Sequence, residues 1–130
     1  VKDVLLDTHI WIWISLEHYH RLSKKAQKAI EKAKRKWISA ISMWELAKLV
    51  EKGMIAFSIP LLTWIKRSLN ECEISVVHLD PEICVESCSL KNFHADPADQ
   101  IIVATARILS FPLISADGRI RNYAGVRVIW

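Results

Sequence analysis

Four carboxylates stand at positions where an acid is either poised for chemistry or badly housed. Asp7 closes the apolar run Val4-Leu5-Leu6, and Asp117 follows Leu113-Ile114-Ser115. Asp99 falls in the first turn after the pair Asp96-Pro97. Glu45 sits among Met43, Trp44 and Leu46, with Ile41 and Leu49 four residues to either side. A carboxylate on such an apolar stripe must find a partner or neutralise. If the four acids converge, each pair about 4–5 Å apart costs on the order of 3–4 kcal/mol at an effective dielectric of 20. Such groups stay ionised together only beside a cation. Hard oxygen donors without Cys or paired His favour Mg2+ or Mn2+ over Zn2+. No HExxH, His cluster or CxxC competes for that role. A divalent ion with open positions suits phosphodiester hydrolysis, because it acidifies a water and neutralises charge during in-line attack.

Each acid also has a plainer reading. Asp7 can cap the helix that follows it, and Asp117-Gly118 suits a turn. Asp96 fits a helix N-cap with Pro97 at the first helical position and Asp99 as the third residue of a capping box. Glu45 can pair with Lys48 on the helix surface; otherwise it points into a polar pocket. Taken together, the four acids make a stronger case than any of them does alone.

The elements that must carry them follow from periodicity and caps. Val4-Leu5-Leu6 reads as a buried strand, and His9 to Leu16 as a short helix with Asp7 or Thr8 as its cap. Leu22, Ala26, Ala29, Ile30, Ala33 and Trp37 fall at helical spacing and predict an amphipathic helix from Ser23. Trp37 to Ala40 predicts a strand, and Ser42 to Lys52 a helix stopped at Gly53. A helix capped by Ser58 is expected to run to about Asn70, followed by a strand over Ile74 to His78. Asp80-Pro81 and Asp96-Pro97 each open a helix, the first to about Leu90 and the second through Leu109. Pro112 to Ser115 and Val126 to Trp130 complete the strands. Strands alternating with helices predict an α/β fold, one domain over residues 1–130 with a central, mostly parallel sheet flanked by helices on both faces. In such sheets ligands bind beyond the carboxyl ends of the strands, where Asp7 and Asp117 fall.

Composition supports a single packed core. The 130 residues are 52% hydrophobic and 25% charged, with three Gly and four Pro, which excludes disorder and low-complexity linkers. The longest uncharged stretch, Gly53 to Ile65, has 13 residues and contains Pro60, so no membrane span is expected. Asp3 and Asp7 interrupt the first apolar segment, so no secretory signal is expected either. The chain opens on Val1, which implies an initiator residue removed or omitted. Three cysteines, Cys72, Cys84 and Cys88, form an odd set without a CxxC pair, which favours a reducing cytoplasm and small packing roles. The net charge of +4 is uneven: Arg21 to Lys36 holds eight basic residues and one acid. One basic helix on an acidic body suggests a polyanionic partner.

The stretches VLLDTHIWIW, ISAISMWELAKLVEKG, HADPADQIIVATA and LISADGRI occur in that order. Together they resemble the PIN-domain nucleases, specifically VapC-type toxins of type II toxin–antitoxin modules, across nearly the whole chain. The family's acidic constellation falls on Asp7, Glu45, Asp99 and Asp117, and its small hydroxyl residue near the last acid on Ser115. The resemblance implies an Mg2+- or Mn2+-dependent endoribonuclease, usually a homodimer, whose small antitoxin inserts a segment into the acidic groove. In the mechanism expected on this basis, Asp7 and Asp99 would hold the principal metal, with Asp117 completing the shell directly or through water. Glu45 would hold a second metal or deprotonate the attacking water, and the products would carry 5′-phosphate and 3′-hydroxyl ends. One departure is Gln100, where many relatives carry Arg after the DPxD motif; it removes no acid.

RNA must then be drawn to a groove that repels it. By position, Arg119 and Arg121 are candidate phosphate contacts, and Ser115 is a candidate for orienting a water or a phosphate. Lys24, Lys28, Lys32 and Lys36 repeat at four-residue spacing, as a cationic stripe or simply a solvated face. His94 reads as a loop or core residue, or as a substrate contact. The six tryptophans read as core, and an exposed one would mark a dimer or antitoxin interface. Two alternatives compete. One is a non-catalytic RNA- or partner-binding module on the same fold. The other is an Mg2+-dependent phosphoryl-transfer domain, whose phosphatase version wants Asp-x-Asp where Thr8-His9 follow Asp7.

Overall fold

The computed structural model describes residues 2–130; Val1 lies outside the described residues. Five strands form one sheet: β1 Val4–Leu6, β2 Lys36–Ser39, β3 Ile74–Val77, β4 Leu113–Ile114 and β5 Val128–Ile129. Their order is β3-β2-β1-β4-β5, and every neighbouring pair is parallel. Leu5 pairs with Trp37 on one side and Leu113 on the other, so β1 is central. All three of its residues are buried, as a strand covered on both faces requires.

Strand alternation divides the core. Val4 and Leu6 face one cluster with Ile10, Trp11, Leu46 and Ile65, whereas Leu5 faces the other with Ile102, Val103 and Ile120. The first cluster takes residues from α1 Thr8–Ser15, α2 Lys24–Lys32, α3 Ala40–Glu51 and α4 Leu61–Glu71. The second is built on α6 Pro97–Leu109 and the single-turn α7 Gly118–Arg121. Helix α5, Pro81–Ser87, packs on α6. The expected α/β architecture is the one observed, with the chain crossing from β3 back past β1 to β4. That crossing makes a crevice at the carboxyl ends of β1 and β4.

Several local expectations are corrected. The basic helix from Ser23 ends at Lys32, and Lys36 lies on β2, so the lysine stripe is Lys24, Lys28 and Lys32 only. Trp37 is a strand residue; its indole donates to Asp3 at 3.2 Å. Helix α3 begins two residues early because the Ser39 hydroxyl caps it. Pro60, not Ser58, precedes α4, with no side-chain cap. Helix α5 stops at Ser87, short of Leu90. Asp117 caps a turn of helix rather than a simple turn, accepting the amides of Arg119 and Ile120. Cys84 and Cys88 are exposed rather than packed, and only Cys72 packs against the core.

Candidate active site

The four acids reach one cleft by four different routes. Asp7 ends the central strand and caps α1, its Oδ1 accepting the Thr8 amide at 2.8 Å. Its other oxygen accepts the Ser115 hydroxyl at 2.7 Å, and that hydroxyl in turn accepts the Asp117 amide at 3.1 Å. The buried Ser115 thereby ties the ends of β1 and β4 together. Asp99 is in the first turn of α6, where Asp96 caps the helix by accepting its amide at 2.9 Å. Glu45 enters from the middle of α3. Lys48 does not neutralise it, because Lys48 pairs with Glu51 at 3.0 Å. Glu45 instead accepts a hydrogen bond from the Thr8 hydroxyl, which also contacts the Ser42 hydroxyl at 2.8 Å. Thr8 is the donor in both contacts, so its one hydroxyl hydrogen is shared between Glu45 and Ser42.

The cleft holds about 900 Å3, and Asp7, Glu45, Asp96, Asp99, Asp117 and Arg119 are among its lining residues. Carboxylate oxygens of Glu45, Asp96 and Asp99 all come within 4.8 Å of one another. Asp96 is therefore a cap and a member of the acidic group at once, a second role that the cap signal hides in sequence. Crowding shows in the protonation of these groups. Burial, then the charges of Asp7, Asp96, Glu45 and Asp117, push the Asp99 carboxyl up to about 7. Burial also raises Glu45, the Thr8 hydrogen bond pulls it back, and Asp7 and Asp96 add to the rise. Asp117 is the exception: burial raises it, but the amides of Arg119 and Ile120 and the Arg119 guanidinium together bring it below the usual carboxylate range.

Arg119 spans the rim, 3.7 Å from Asp99 and 3.6 Å from Asp117, with its side chain 63% exposed. Arg121, two residues further on, does not line the cleft. Two residues of β1–α1 take part that the sequence offered only as caps or neighbours. Thr8 orients Glu45, and His9 accepts the Ala116 amide on Nε2 at 3.1 Å with Nδ1 3.6 Å from Asp7. Burial lowers the His9 pKa despite the nearby Asp7 and Asp117, so the ring stays neutral and leaves the negative charge uncompensated. His94 places Nε2 3.1 Å from Asp99, off the line of a hydrogen bond, while Gln100 holds the His94 carbonyl at 3.1 Å. Gln100 thus fastens the loop that precedes α6.

The sequence profile described as PIN domain matches residues 4–126. The chain belongs to the PIN-domain family. It is 36% identical over 130 residues to Ribonuclease VapC22 of Mycobacterium tuberculosis, covering 99% of this chain and 98% of that protein. Among solved structures it resembles VapBC2 from Rickettsia felis bound to a promoter DNA fragment, at a TM-score of 0.71 and 14% identity. It also resembles DNA-bound VapBC from Salmonella typhimurium, at 0.70 and 17%. Each of the two comparisons covers 98% of this chain and 97% of the other, and both show a shared fold. Among the described residues, no helix of this PIN domain is long and apolar enough to cross a membrane.

The donor set fits a hard divalent cation. Every acidic oxygen facing the cleft comes from a carboxylate, and no cysteine contributes. Arg119 is the cation nearest these acids, and its exposed guanidinium offsets only part of their charge. Burial first and then the neighbouring carboxylates hold the Asp99 carboxyl near 7, and a cation among them would favour its charged form.

Proposed function

We propose that this PIN domain, acting as one unit over residues 1–130, is a divalent-metal-dependent endoribonuclease and the toxin of a toxin–antitoxin module. The observation that carries the reading is the meeting of Asp7, Glu45, Asp99 and Asp117 in one cleft, with Asp99 pushed up to about 7. Asp7 and Asp99 would be the primary holders of Mg2+ or Mn2+, with Asp117 completing the set. An ion held there would supply a more acidic water and offset the charge of the scissile phosphodiester. Glu45, its pKa raised by burial and partly restored by the Thr8 hydrogen bond, takes the proton of the attacking water. Ser115, fully buried and outside the cleft lining, gives its one proton to Asp7 and holds Asp7 and the Asp117 backbone in fixed relation; it acts through these acids rather than on a water or a phosphate as the sequence suggested. Arg119 receives a phosphate oxygen at the rim, while Arg121 adds charge outside the lining. The products carry 5′-phosphate and 3′-hydroxyl ends.

An RNA substrate is supported by the named ribonuclease with which the chain shares its length. A small antitoxin partner is supported by the toxin–antitoxin complexes among the structural neighbours. A homodimer and a cytoplasmic location complete the reading, the latter in keeping with three free thiols.

The test is incubation of the purified protein with labelled RNA in Mg2+, in Mn2+ and in chelator, beside an identically prepared Asp7→Asn/Asp99→Asn double variant. The reading requires cleavage by the wild type with metal and none in chelator or by the double variant. Cleavage in chelator, or by the double variant, removes the metal mechanism. Intact RNA throughout favours the non-catalytic binding module.

A further inference from the structure

The exposed tryptophan is not where a core residue would be. Trp44 is 55% exposed, the only tryptophan so placed among the described residues, and it lines the cleft immediately beside Glu45. Lys48 and Lys52 line the same cleft. The three follow one another at four-residue intervals, so α3 and its C-cap present them on one face over roughly 12 Å. The Lys48 ammonium stands 5.6 Å from the Trp44 ring centroid. Its ion pair with Glu51 is between exposed groups and opens at little cost. The lysines of α2, which carry most of the excess positive charge in the sequence, do not line the cleft.

We infer that Trp44, Lys48 and Lys52 form the track on which single-stranded RNA lies as it enters the acidic centre, with one base stacked on Trp44. The inference rests on the ribonuclease reading above and names the residues that receive the strand. An aromatic face followed by cations is the arrangement that binds single strands without reading their sequence: the ring takes a base and the ammonium groups take phosphates. Charge favours RNA over an apolar protein segment here. The acids next to Trp44 repel a polyanion, so a strand that reaches them needs cations on its approach, and α3 supplies two on the face that carries the ring. Arg119 faces the acids from α7 and receives the strand beyond the centre.

The experiment compares Trp44→Ala, Trp44→Phe and the pair Lys48→Ala/Lys52→Ala, using a short unstructured oligoribonucleotide and its counterpart with an abasic position. Binding is read by the fluorescence anisotropy of the end-labelled oligoribonucleotide in an Asp99→Asn background, with tryptophan quenching followed alongside, and cleavage is read in the otherwise wild-type protein with Mn2+. Trp44→Ala is expected to weaken binding about tenfold, and Trp44→Phe to keep most of it. The loss in cleavage falls on KM more than on kcat, and the quench disappears with the indole. The lysine pair is expected to reduce the slope of log K against log salt by about 1.4. The abasic strand should bind the wild type and Trp44→Ala equally. Thermal midpoints of all variants, measured alongside, separate these effects from unfolding.

The inference is overturned if folded Trp44→Ala binds and cleaves RNA with unchanged KM, or if it keeps RNA and loses only its antitoxin, which would make the face a protein dock. Both results leave the ribonuclease reading standing. A wild-type protein that neither binds nor cleaves RNA removes that reading, and this inference with it.

Discussion

The Ser115 hydroxyl donates to Oδ2 of Asp7 across 2.7 Å, joining the ends of two adjacent strands that lie 108 residues apart in the chain. The Ser115 oxygen itself accepts the Asp117 amide, so one hydroxyl sets the spacing of the first and last acids. Ser115→Ala leaves a buried carboxylate oxygen and a backbone amide without their partner. It is expected to cost about 1–3 kcal/mol of stability, read by denaturant unfolding. Metal affinity or cleavage is expected to fall about 10–100-fold, because a group that orients a ligand is lost.

Asp99 gives the metal-free protein an unusual pH dependence. Its folded pKa of about 7 lies above the value of 3.8 for an unperturbed Asp. Between those values the native state binds more protons than the unfolded one, so the contribution of Asp99 to stability falls as pH rises. His9, lowered by burial, works in the opposite sense below its ordinary value of 6.5. The thermal midpoint of the wild type relative to Asp99→Asn is therefore the quantity to follow in chelator. It should decline from about pH 4 to pH 7 and level off above, and added Mn2+ should reverse the decline. A difference that is flat across this range contradicts the crowding of acids around Asp99.

The Thr8 hydrogen bond opposes the rise that burial imposes on the Glu45 pKa. Thr8→Val removes that bond, so the rise of cleavage with pH should move to higher pH, measured as kcat/KM across a pH series. Glu45→Gln should lower kcat by about 100- to 10,000-fold, the range for a positioned general base. Equal loss in both variants at every pH would mean that Thr8 acts only by packing.

Asp96 allows its two roles to be separated. Asn caps a helix as well as Asp does, so Asp96→Asn should leave stability almost unchanged, whereas Asp96→Ala should cost about 1 kcal/mol. Both remove a charge near Asp99 and should bring its titration, followed by carboxyl NMR in the metal-free protein, down toward the ordinary range.

Asp7 and Asp117 were legible because each stands directly after a short apolar run, and a sheet with its helices alternating can only put such positions at one edge. Glu45 was legible through its misfit on an apolar stripe, though its partner was not. Lys48 is nearby in sequence, but a hydroxyl from α1 reaches it first. Asp96 hid behind a sound cap signal, since satisfying one amide leaves its charge in place. The lysine repeat misled: Lys36 shares the spacing of a helix but is drawn into β2 by pairing with Val4 and Ile74. The open face of α3 is hidden in the sequence for a related reason. Which helix face stays open depends on how the neighbouring layers close, and the apolar Trp44 reads as core until they do.

The central claim is that carboxylates at the end of β1, in α6 and at the start of α7 together hold one hard cation beside Glu45 of α3. Calorimetric titration of Mn2+ into the chelator-treated protein tests it most directly, beside Asp7→Asn, Asp99→Asn and the double variant. Saturable binding by the wild type is expected, weakened by either single change and lost in the double. Undiminished Mn2+ binding by the double variant, or none by the folded wild type, would contradict it.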